Sequence, residues 1–212
     1  MAFKEKEPNK HDKIIEGAIK VFAKKGFYNS KVSEIAREAQ VADGTIYLYF
    51  KNKDDILISV FEEKVDTIIH RMEEELAKVD DPLEKIRTFV QHHLRLVKEN
   101  KHLAEVIQIE LRQSSKFMRR YLPVKFLEYL DIIGRIIEEG KQKGVVRPDV
   151  IPAIAKRAIF GALDEMSLYW VLTKKPKYNL EQSIDQISSL FIDGLRTRNG
   201  QKEGLTPART AA

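Results

Sequence analysis

The stretch from Ser30 to Phe50 restricts the fold more than any other part of the chain. It reads as a short helix, a three-residue turn and a second short helix. Ser30 is placed to cap a helix that carries Val32, Ile35, Ala36 and Ala39 on one face. Gln40-Val41-Ala42 makes the turn, and Asp43 to Tyr49 forms a two-turn helix anchored by Ile46 and Phe50. Ala36 is small where the two helices cross, and Val41 can plug the gap between them. This is the spacing of a helix-turn-helix. Its outward face carries Asp43, Gly44, Thr45, Tyr47, Leu48 and Tyr49. Gly44 lets the backbone approach a base edge, and the Thr45 hydroxyl or methyl can read one. Tyr47, Tyr49, Ser30 and Lys31 are candidate phosphate contacts, and Lys53 suits a point contact at the next helix start. An ordinary helical hairpin explains the apolar positions but not two exposed tyrosines beside Lys51 and Lys53. DNA binding is the favoured reading.

Helical periodicity runs through nearly all of the remaining sequence, and no alternating strand pattern is evident, so the expected fold is all-α with about nine helices. Ile14, Ile15, Ala18, Ile19, Phe22 and Ala23 stripe the first helix, which Gly26 ends. From Asn52 a helix of roughly 25 residues carries one stripe from Ile56 to Leu76. Asp80-Asp81-Pro82 ends it and opens the next, with Leu83, Ile86, Val90, Leu94 and Val97 on one face. Further segments run from His102 to about Arg112, on to Glu139, from Val150 to Leu172 and from Tyr178 to Leu195. The expected organisation is a DNA-binding domain over 1–53, a ligand-binding and dimerisation domain over 54–197, and a disordered polar tail over 198–212.

Charge supports a polyanion partner for the head. Residues 1–53 carry net +4, residues 54–194 net −2 and residues 195–212 net +3, within a chain total of +5. The absence of cysteine excludes disulfide scaffolds, thiolate metal sites and cysteine nucleophiles. No apolar run is long enough to span a membrane and no export segment opens the sequence, so a cytoplasmic protein is expected. No nucleophile–base–acid spacing and no metal-ligand spacing among the five histidines is defensible, so neither an enzyme nor a metal site is expected. His93 falls on the apolar stripe of its helix and reads as a satisfied core histidine.

The body suggests a cavity and a dimer. Ile107, Leu111, Phe126, Tyr129, Leu130, Ile133, Phe160 and Trp170 crowd apolar volume together, with Ile137 and Phe117 nearby. Arg112, Lys116, Arg119, Arg120 and Lys125 form a basic run that would suit an anionic head group at a cavity mouth; a solvated helix face is the alternative. Asp164 and Glu165 interrupt an apolar run and need a partner: a polar ligand group, an arginine or another subunit. The helix from Val150 to Leu172 is apolar nearly all round, which implies two buried faces. Ile159, Leu163 and Tyr169 on it, with Ile187, Leu190, Phe191 and Gly194 on the last helix, are the candidate homodimer interface.

Gly26-Phe27 and the run from Val41 to Leu57, Val-Ala-Asp-Gly-Thr-Ile-Tyr-Leu-Tyr-Phe-Lys-Asn-Lys-Asp-Asp-Ile-Leu, resemble the DNA-binding head of the TetR family of bacterial regulators. The resemblance implies a homodimer that places the third helix of each subunit in the major groove of a palindromic double-stranded operator. Ala42 stands where the family often has a capping serine, a role Asp43 could assume, and an acid at Asp43 is itself a departure. Ile107 to Ser114 and Phe160 to Glu165 extend the similarity to the FadR-type regulators of fatty-acid degradation within that family. That implies a repressor relieved by long-chain fatty acyl-CoA as effector, with no cofactor. A TetR-type repressor sensing another hydrophobic molecule, or a helical lipid-binding module without DNA binding, are the competing readings.

Overall fold

The computed structural model describes residues 9–110 and 122–197. Among them are nine α-helices: α1 Lys10–Lys25, α2 Val32–Glu38, α3 Asp43–Ile46, α4 Lys53–Leu76, α5 Pro82–Glu99, α6 Lys101–Glu105, α7 Leu122–Gln142, α8 Pro152–Leu172 and α9 Leu180–Leu195. A π-helical turn, Val106–Glu110, continues α6. Extended pairing among the described residues is limited to one isolated bridge, Val146 with Arg196. The expected tail, residues 198–212, lies outside the described residues.

Local chemistry accounts for the helix ends. The Asn9 side chain accepts from the Asp12 N–H at 2.9 Å, and Gly26, at φ 79°, closes α1 in the left-handed region that favours glycine. Asn52 caps α4 through the Asp55 N–H at 2.9 Å. Asp81 takes the N–H groups of Leu83 and Glu84 at 2.7 and 3.1 Å, with Pro82 in the first turn of α5. Asn179 and Gln182 form a reciprocal capping box at the start of α9.

The helix-turn-helix is present with two local differences from expectation. Lys31, not Ser30, occupies the cap position of α2, where its backbone N–H donates to Glu34 at 3.0 Å. Helix α3 is a single turn, and its cap residue Ala42 makes no side-chain bond, so Asp43 does not replace the missing serine. Beyond Ile46 the chain tightens: the N–H groups of Leu48 and Tyr49 donate three residues back, to Thr45 and Ile46.

Two apolar cores form. The head core joins α1, α2 and α3 to Ile56, Leu57, Val60, Phe61 and Val65 of α4, with Val106 from the π turn inserted. At Gly17 a β-carbon would lie 3.0 Å from the Ala39 nitrogen, so a larger residue there would press α1 against the end of α2 and the backbone of Ala39 would have to give. In the body core α5 is central, packed by α4, α7, α8 and α9, with Phe89 and Val90 fully buried. Ile69 touches both cores, so α4 is a rigid strut of about 36 Å between them.

Candidate functional site: a reading helix and an apolar cavity

Helix α3 separates its side chains cleanly. Ile46 and Phe50 are buried in the head core, while Tyr47 is 60% exposed and Leu48 81%. Leaving large apolar surface in water has a cost, so two such neighbours just past a one-turn helix mark a contact surface. Asp43, Tyr49 and Lys31 are also exposed, Thr45 is half-buried, and nothing lies within 4 Å of the position a β-carbon would take at Gly44. That face can lie flat against a groove. Tyr49 is steadied from behind by His11, whose ring sits 5.8 Å from it and stacks on Phe50 at 5.1 Å.

Two of the expected phosphate contacts turn inward instead. Ser30 is buried, and its hydroxyl donates to the Phe27 carbonyl at 2.7 Å. The Lys53 ammonium donates to the carbonyls of Phe27, Tyr28 and Ser30 at 2.6, 3.2 and 2.9 Å and sits 4.6 Å over the Phe27 ring. An ammonium has three protons to donate, and all three are committed here. Partial burial pushes its pKa below the usual lysine value, against the pull of Asp54. The geometry makes both residues builders of the loop between α1 and α2.

Behind the head lies a cavity of about 370 Å³, within the usual range for small-molecule sites. Its walls come from α4 (Phe61, Val65, Ile68), α5 (His93, Leu96, Val97), Asn100, α6 with the π turn (Leu103, Ala104, Ile107, Gln108), α7 (Phe126, Tyr129) and α8 (Phe160, Asp164). Ile107, Phe126, Tyr129, Phe160 and Asp164, all singled out in the sequence, therefore line one cavity. Leu130 and Ile133 do not line it; both are fully buried in packed interior. Trp170 also stands away from it, packed on the body core with its indole N–H unpartnered among the described residues. Leu111 and Arg112 lie outside the described residues, as do Lys116, Phe117, Arg119 and Arg120. Lys125, the described member of that basic run, is held by Asp66 at 2.7 Å and Glu128 at 2.9 Å, which raise its pKa.

The polar groups of the cavity wall are few and ordered. The Ser167 hydroxyl donates to the Leu163 carbonyl at 2.7 Å, so toward His93 Nε2, 3.1 Å away, it can only accept. The proton of His93 is thereby fixed on Nε2, and Nδ1 accepts from the Tyr129 hydroxyl at 2.8 Å. His93 is half-buried and borders the cavity. Burial lowers its pKa to about 4 despite the opposing pull of Asp164, and burial raises that of Tyr129. Gln108 donates to Asp164 at 3.2 Å, linking the π turn to α8 across the cavity. Glu165, expected to be enclosed like its neighbour, is exposed.

The α8–α9 surface divides the candidate interface residues. Ile159 and Leu163 are fully buried within the protomer's own core, which removes them from any subunit contact. Leu190 is 71% exposed, Phe191 and Tyr169 are half-buried, and Gly194 faces open space. Ile187 is mostly covered but borders a shallow depression with Ala162, Met166, Tyr169 and Tyr178. No described helix is long and apolar enough to cross a membrane.

Residues 14–60 match the family described as bacterial regulatory proteins, tetR family, and residues 61–194 match the YsiA-like protein, C-terminal region. The chain belongs to the TetR family. It is thus a transcriptional regulator of the helix-turn-helix class, not an enzyme. Among TetR-family proteins it is 40% identical over 195 residues to the fatty acid metabolism regulator protein of Bacillus subtilis (strain 168), covering 92% of this chain and all of the relative. The crystal structure of FadR from Bacillus subtilis in complex with stearoyl-CoA superposes with a TM-score of 0.81 at 40% identity, covering 87% of this chain and 98% of that one. The fatty acid degradation regulator FadR from Bacillus halodurans gives a TM-score of 0.83 at 38% identity, over 92% of this chain and all of that one.

Proposed function

We propose that this TetR-family chain is a homodimeric repressor of fatty-acid degradation genes, released from a palindromic operator by long-chain fatty acyl-CoA in the cytoplasm. The observation that carries this reading is the cavity. An almost wholly apolar chamber is walled by α4 and α6, the same elements that carry residues of the head core. An acyl chain suits such walls, since each buried methylene contributes about 0.8 kcal/mol. The complex of Bacillus subtilis FadR with stearoyl-CoA supports this effector class, and the Bacillus halodurans FadR and the Bacillus subtilis fatty acid metabolism regulator support the pathway.

In this reading Gly44 and Thr45 meet base edges, Lys31, Tyr47 and Tyr49 meet phosphates, and Asp43 and Leu48 complete the face that enters the groove. Ser30 and Lys53 hold the supporting loop. Leu190, Phe191, Gly194, Tyr169 and Ile187 pair with their symmetry mates across a two-fold axis, which sets the spacing of the two reading helices against successive major grooves. Arg112 is the candidate partner of the anionic CoA by its charge alone, and Ile107, Phe126, Tyr129 and Phe160 are the candidate partners of the acyl chain. The effector acts only if it binds one head spacing better than the other.

Calorimetric titration of the purified protein with stearoyl-CoA, stearate and free CoA separately tests the ligand class. Saturable binding of stearoyl-CoA, with markedly weaker binding of CoA alone, is expected. Absence of binding by all three contradicts the reading, and equal binding of stearate reassigns the effector to the free acid.

A further inference from the structure

We infer that Glu110 is the positioning residue through which cavity occupancy reaches the DNA-reading helix; the inference rests on the acyl-CoA-responsive function proposed above. Its carboxylate Oε2 accepts the backbone N–H of Phe27 at 2.7 Å, in a buried setting, across 83 positions of sequence. Glu110 lies at the end of the π turn whose neighbouring residues, Ile107 and Gln108, line the cavity. Phe27 lies in the loop between α1 and α2, inside the head.

The π turn makes this double engagement possible. Such turns add a residue to the helical repeat and rotate the side chains that follow, and they recur at functional sites. Val106 and Glu110 point into the head, the first fully buried in its core. Ile107 and Gln108, between them, face the cavity, where Gln108 is tied to Asp164. A shift of the turn that accommodates a ligand at Ile107 and Gln108 therefore displaces Glu110 as well.

The other side of the same residue leads to the reading helix. The Phe27 carbonyl accepts from the Lys53 ammonium at 2.6 Å and from the Ser30 hydroxyl at 2.7 Å. Lys53 is the first residue of α4, immediately after the segment that carries Tyr47, Leu48 and Tyr49. Phe27 is thus held at its N–H from the end of the π turn and at its carbonyl from the first residue of α4, a few residues past the reading segment. Gly26 suits this junction: a β-carbon there would lie 3.5 Å from the Glu110 carboxylate on a backbone already at φ 79°. Charge-assisted bonds at both ends of one residue make a short, stiff connection.

The test compares operator affinity with and without saturating stearoyl-CoA in the full-length wild type, Glu110→Gln and Glu110→Ala, using a duplex selected from a random library by the wild type. In the wild type the ligand weakens operator binding by about tenfold or more. In Glu110→Ala that ratio falls to within about twofold, while stearoyl-CoA affinity stays within about threefold of wild type. Glu110→Gln keeps an oxygen that accepts the Phe27 N–H and restores most of the ratio. A wild-type ratio in Glu110→Ala overturns the inference while leaving the function intact, and equal collapse in both variants overturns the acceptor role. A wild type indifferent to the ligand defeats the function and this inference with it. Should Glu110→Ala fail to fold, residue-resolved hydrogen exchange on the wild type decides. The Phe27 amide rate changes by about fivefold or more on saturation with stearoyl-CoA, and an unchanged rate overturns the inference.

Discussion

The Tyr129 hydroxyl donates to His93 Nδ1 at 2.8 Å, which leaves a neutral imidazole, protonated on Nε2 only, set into the wall of the apolar cavity. Histidine is normally the side chain most easily charged near neutral pH. Here burial holds its pKa at about 4, against the ordinary 6.5. Below 6.5 the unfolded chain binds a proton that the folded chain refuses, so stability falls as pH drops from about 6.5 towards 4 and is unaffected above that window. From pH 7.5 to pH 5 this group removes about 2 kcal/mol. Denaturant unfolding of the wild type and His93→Gln at both pH values measures it: the variant loses less stability on acidification by about that amount. Identical losses contradict the assignment.

Tyr47 and Leu48, in the tight turns that continue α3, are exposed over the buried pair Ile46 and Phe50. Exposed residues without partners contribute little to folding, within about 0.5 kcal/mol. Tyr47→Ala and Leu48→Ala are expected to weaken operator binding by tenfold or more (about 1.4 kcal/mol) with an unchanged melting temperature. Band-shift titration beside calorimetric melting separates the two effects. Wild-type affinity in both variants removes α3 as the reading element.

Lys53 makes the opposite prediction. Losing its ammonium takes one donor from each of the carbonyls of Phe27, Tyr28 and Ser30, although Phe27 keeps the Ser30 hydroxyl. Lys53→Met is expected to destabilise the fold by about 1–3 kcal/mol. The slope of log affinity against log salt should stay at the wild-type value, because no phosphate contact is lost. Lys31→Ala, at an exposed position, should instead reduce the slope by roughly one. A full unit lost in Lys53→Met would return the phosphate role to that residue.

Leu190 stands out of the protomer on α9, 71% exposed. Leu190→Glu places a charge at the proposed two-fold contact without disturbing the core. Light scattering should then report a monomer with native helicity and operator affinity reduced by about a hundredfold or more, since half a palindrome is engaged at a time. A stable dimer in that variant moves the interface elsewhere.

The chain's periodicity displayed its helices well because each narrow stripe marks one buried face; Ile46 and Phe50 against Tyr47 and Leu48 show the division within a single turn. What periodicity does not reveal is the neighbour a buried face meets. Ile159 and Leu163 lie on a helix apolar nearly all round, where nothing in the sequence separates the inner face from the outer. Ile133 continues the stripe of Phe126 and Tyr129 past the end of the cavity into solid core. Ser30 shows a different limit, because a hydroxyl beside a helix start serves equally as a cap or as a donor to the preceding turn. Lys53 is a flexible cation that finds nearby carbonyls as readily as phosphates. Gln108 and Glu110 were legible only as polar residues in an otherwise apolar run from Val106 to Leu111, a pattern that points to a buried partner without naming it.

The measurement closest to the centre of this account is the reciprocal linkage between operator and effector. Fluorescence anisotropy gives the operator Kd with and without saturating stearoyl-CoA, and calorimetry gives the stearoyl-CoA Kd with and without saturating operator. One cycle has one coupling free energy, so both ratios must agree. Each ligand is expected to weaken the other by the same factor, about tenfold or more. Independent binding, with both ratios near one, would contradict it.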